Sequence, residues 1–67
     1  MESAKKLEQE LKDIRGRIRG AEKDLANSKL DSTERNNLRE QLAGMISYER
    51  ALDKRVEDAK RRESEDK

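Results

Sequence analysis

The stretch LANSKLDSTERNNL, residues 25–38, decides whether this chain is one long helix or two shorter ones. Upstream of it, apolar side chains keep a rhythm of three and four. The rhythm breaks over Asn27, Ser28, Lys29, Leu30 and Asp31, a polar interval of the length that joins antiparallel helices. Asp31 followed three residues later by Glu34 has the form of a capping box with Asp in the hydroxyl position, and Ser32 competes as the cap one residue on. The reading is a turn over 28–31 and a second helix from Ser32. A single continuous helix is the competing structure. At 1.5 Å per residue it would reach roughly 90 Å, against about 40 Å for each arm of a hairpin.

Working outward, Ala4, Leu7, Leu11, Ile14, Ile18, Ala21 and Leu25 lie on one stripe of a helix, and Leu38, Leu42, Met45, Glu49, Leu52, Val56 and Ala59 repeat the design. If the two helices fold back on each other, facing residues have numbers of constant sum. A sum of 63 matches every position of one stripe to one of the other, from Leu25 with Leu38 through Ile14 with Glu49 to Ala4 with Ala59. That register sets Glu22 near Arg39 and Glu10 near Arg55, but also Glu8 near Asp53. Acid-first pairs four apart, Glu2 with Lys6, Glu8 with Lys12 and Asp13 with Arg17, should each add about 0.2 to 0.5 kcal/mol on the outer face.

Composition agrees with this patterning. Ala, Glu, Lys, Leu and Arg supply 40 of the 67 residues, as in long surface helices and coiled coils, whereas Leu, Ile, Val and Phe supply only 11, so any core is narrow. Proline is absent, and so few β-branched or aromatic residues argue against a sheet. The expected fold is all-α, a two-helix antiparallel coiled-coil hairpin over residues 1–59, with helices at 2–27 and 32–59. Two such hairpins could pair into a four-helix bundle. Residues 60–67, KRRESEDK, carry no apolar side chain and are expected to fray.

No Cys and no His excludes disulfides, thiol chemistry, zinc sites of the usual kind and the ordinary proton shuttle at neutral pH. No apolar run approaches a membrane span or the core of a signal peptide, so an intracellular chain is expected. A two-helix hairpin has no interior in which to place an acid, a base or a nucleophile, so neither an enzyme nor a binder of small molecules or cofactors is expected.

Two surfaces are candidates for contact. Leu42 to Leu52 is the most apolar stretch. There Leu42, Met45 and Glu49 sit on the seam, with Ile46 and Tyr48 on its two flanks, and these five residues are the expected site for another protein or a second copy. The plainer expectation is that Ile46 covers the stem of Arg15 and that Tyr48 packs over Arg17. Glu49, a carboxylate opposite Ile14, needs either a basic partner such as Arg17 or Arg50 or an outward lean into water; a polar seam position can also fix register or oligomeric state. The alternative surface is basic. Lys12, Arg15, Arg17, Arg19 and Lys23 give the middle of the first helix an excess of positive charge that could meet nucleic acid, beside a shallow notch at Gly16 and Gly20. Interleaved acids, the near absence of stacking aromatics and a net charge of +1 weigh against it. Lys54, Arg55 and Lys60 to Arg62 also have the look of a nuclear-import signal, a frequent match in basic helices. The expected function is a non-enzymatic protein-interaction or assembly module.

Overall fold

The computed structural model describes residues 3–27 and 29–65. Two helices, α1 (Ala4–Leu25) and α2 (Ser32–Glu65), fold back on each other as an antiparallel hairpin, a rod of 54 × 14 × 14 Å. The expected turn is where the chain reverses; Ser28 within it lies outside the described residues.

The break forms because each side of it is capped. Asp31 wins the competition with Ser32: its Oδ1 accepts from the Glu34 amide at 2.8 Å, and its carbonyl accepts from the Arg35 amide. Asn27 Oδ1 accepts from the Lys29 amide at 3.0 Å, the short side-chain bond by which Asn stabilises a turn. Across the turn, Arg35 Nη1 donates to the Leu25 carbonyl at 2.7 Å and Nη2 donates to the Asn27 carbonyl at 3.2 Å. A cation from α2 thus satisfies the carbonyls at the end of α1, where the helix dipole favours positive charge.

The other end of α1 is treated in the same way. Ser3 accepts from the Lys6 amide, and the first turn of α1 holds no acid of its own. Glu63 of α2 supplies one, with Oε1 accepting from the Ala4 amide at 2.9 Å. Here the structure differs from the expected helix end at residue 59: α2 continues through Glu65. The extension lacks apolar side chains and is tied by polar contacts, Glu63 to Ala4, Lys60 to Glu8 at 3.0 Å, and Arg61 to Asp58. Residues 66 and 67 lie outside the described residues. At 1.5 Å per residue the 34 residues of α2 account for the whole length of the rod.

The core follows the expected stripes. Leu7, Leu11 and Ile14 of α1 pack with Leu52 and Val56 of α2, and Ile18, Met45 and Ala59 lie against them. Leu52 is the most enclosed, 1% exposed. Burial is uneven along the seam. Toward the turn only Ala21 is buried, whereas Ile18, Leu25, Leu38, Leu42 and Met45 are half-buried.

Replacing Leu52 with Ala should cost about 2 to 5 kcal/mol, the usual loss for an enclosed leucine. Chains this small rarely gain more than about 3 to 5 kcal/mol from one core. Leu52→Ala should therefore lose most of its helical circular dichroism at 25 °C, while Ser47→Ala on the exposed face keeps it. A Leu52→Ala chain that melts like the parent would show that this cluster is not the core.

Candidate interaction surface

The expected contact residues divide among three positions around α2. Leu42, Met45 and Glu49 are half-buried on the seam, Ile46 is half-buried on one flank, and Tyr48 is 49% exposed on the other. They do not form one continuous patch. Ile46 lines a groove on the outer side of α2 with Ala43, Ser47, Arg50, Ala51 and Lys54, and α1 contributes nothing to it. Tyr48 lies over a hollow shared with Glu10, Asp13, Ile14 and Arg17. Its hydroxyl is turned to Glu10 Oε2, at 3.4 Å, and the expected Arg17 lines the same hollow.

Glu49 has a partner. Arg15 Nε donates to Glu49 Oε1 at 3.1 Å, and Arg15 Nη2 stands 3.6 Å from Asp53 Oδ1, one turn further along α2. One guanidinium therefore serves two acids four residues apart. The Glu49 side chain keeps 21% of its surface exposed and that of Arg15 keeps 47%, so the pair is shielded on the acidic side only. The candidate partners Arg17 and Arg50 are not used. The expected repulsion between Glu8 and Asp53 is resolved as well, because Glu8 goes to Lys60 and Asp53 to Arg15. Asp13 accepts from Gln9 Nε2 at 3.0 Å, in place of the expected Arg17. The acid of the expected Glu2–Lys6 pair lies outside the described residues.

The basic candidates separate too. Lys12, Arg15 and Arg19 border a groove between the helices that Glu8, Asp53 and Glu57 also line. Arg17 belongs to the opposite flank, beside Tyr48, and Lys23 is exposed in the last turn of α1. Acids of both helices, Glu8, Asp53 and Glu57, thus stand among the bases Lys12, Arg15, Arg19 and Lys60 of this groove. Gly16 and Gly20 are exposed, and a Cβ added at either would meet nothing within 4 Å.

Among the described residues no group of three or more acids is placed to hold a metal ion, no buried side-chain nitrogen or oxygen lacks a partner, and no helix is long and apolar enough to cross a membrane. Compared with protein-family models, with curated proteins and with solved structures, the chain matches none.

Sequence reasoning missed two features. Arg35 did not stand out, although an Arg four residues past a cap, close to the end of a preceding helix, is a usable signal. The groove on α2 was also missed. Its floor of Ala43, Ser47 and Ala51 is spaced by four but carries almost no hydropathy contrast.

Two substitutions test this description. Glu49→Leu should raise the melting temperature: a half-exposed ion pair contributes about 1 kcal/mol at most, less than an added seam leucine gains by burial. A fall would mean that the Arg15 bridge does more than such pairs do. Gly16→Ala with Gly20→Ala should stabilise α1 by roughly 0.5 to 1 kcal/mol per site in chemical denaturation, since helix propensity rises and nothing is in the way; no gain would contradict the open space at both positions.

Proposed function

We propose that the hairpin is a non-enzymatic assembly module that docks residues 42–52 of α2 and the adjoining seam against another helical surface, of a different protein or of a second copy. The supporting observation is apolar surface that two helices leave uncovered. Leu42, Met45 and Ile46 are half-buried, Tyr48 is half exposed, and Ile18, Leu25 and Leu38 near the turn are half-buried as well. The rod exposes 5479 Å². A compact monomer of 7.8 kDa would expose about 4,400 Å². That surplus follows from the elongated shape and comprises charged as well as apolar surface, including the half-buried apolar side chains named above. A further helical layer against α2 would cover part of it, as in helix bundles.

The test is a photo-crosslinking amino acid placed singly at Ile46, Tyr48 and, as a control, Lys5, in cells that express the chain. A discrete protein adduct is expected from position 46 or 48, and none from position 5. Adducts from none of the three, or equal adducts from all, would defeat the reading.

A further inference from the structure

We infer that the outer face of α2 is a two-fold docking surface for a second copy of this chain, with the two α2 helices antiparallel and crossing near Ser47. This rests on the proposed assembly role and names the partner. The groove over Ala43, Ile46, Ser47 and Ala51 lies between two rows of side chains four residues apart, the ridge-and-groove form by which helices pack, and its small, exposed floor lets a second backbone come close.

Charge selects the occupant and its direction. The rim carries the cations Arg50 and Lys54, which favours an occupant that brings a carboxylate. On the same face, two turns before the middle of the groove, stands the exposed Glu40. A two-fold axis at Ser47 pairs residues at equal distances on either side of it. It sets Ala43 opposite Ala51, Glu40 opposite Lys54, and Arg50 over the open Gly44, where an added Cβ would meet nothing within 4 Å. Symmetry makes each contact twice. A slip of one turn toward the amino end of α2 still gives Glu40 a cation, Arg50, whereas the opposite slip sets it against Asp58. Parallel helices in register would instead stack Lys54 on Lys54 and Glu40 on Glu40. The crossing point is also close to the middle of α2 (Ser32–Glu65), and each α1 lies on the far side of its own α2, so neither obstructs the contact.

The floor is narrow, so the dimer should be weak, with a dissociation constant from micromolar to sub-millimolar. Sedimentation equilibrium of the full chain should show mass rising with concentration. Glu40→Lys and Lys54→Glu should each weaken association about ten-fold, a size appropriate to two symmetric exposed pairs turned repulsive, and the double exchange in one chain should recover it. The chain has no native cysteine. Ser47→Cys should therefore form an intermolecular disulfide under mild oxidation much faster than Lys12→Cys on α1. A strictly monomeric chain up to about 1 mM would overturn the inference. So would a dimer indifferent to both charge reversals and slow to couple through Ser47→Cys. If the chain is monomeric yet position 46 crosslinks to a different protein in cells, the second copy is wrong and the assembly role stands.

Discussion

Two helices can cover only one stripe of each other, and that limit governs this molecule. Leu7, Leu11 and Ile14 against Leu52 and Val56 form the enclosed core; of the other apolar side chains, most are at best half-buried. With so little transferred from water, small increments matter: a cap, a glycine in mid-helix or a carboxylate at a seam position is each a sizeable fraction of the net stability. The same limit leaves surface that a larger domain would have enclosed. The functional reading depends on that surface and not on a constellation of reactive groups.

Charged side chains set the alignment that so narrow a seam would hold weakly. Arg35 fixes the corner, Arg15 fixes the middle by joining Glu49 and Asp53, and Lys60 and Glu63 fix the open end. These contacts lie at or near the surface, so none need be strong. Together they favour one longitudinal register over those displaced by a heptad, which the repeating apolar stripe by itself separates poorly.

The seam, the reversal at 27–31 and the restart at Ser32 were legible in the sequence because each is a departure from, or an adherence to, helical periodicity. The polar pairings were not. With 49% of residues charged, Glu8, Asp13 and Tyr48 each have several acceptable partners within reach, separated by fractions of a kcal/mol, and spacing does not rank them. The end of α2 was misjudged for a related reason: the absence of apolar residues after Ala59 suggested fraying, while the structure uses those residues to hold α1's first turn. At the candidate surface, the placement of Ile46 and Tyr48 on opposite flanks follows from helical geometry. The groove does not, since alanine and serine stand out only when their neighbours in space are known.

Both termini of α1 are served by one rigid element, Glu63 at its amino end and Arg35 at its carboxyl end. Helix α2 thereby acts as a caliper whose jaws are 28 residues apart. Inserting or deleting a single residue inside α1 would turn its apolar stripe about 100° away from the seam and pull one end out of its jaw. Removing a full heptad would restore the stripe but leave α1 about 10 Å short of one clamp. The lengths of the two helices are therefore coupled, and this hairpin can grow or shrink only by matched changes in both arms.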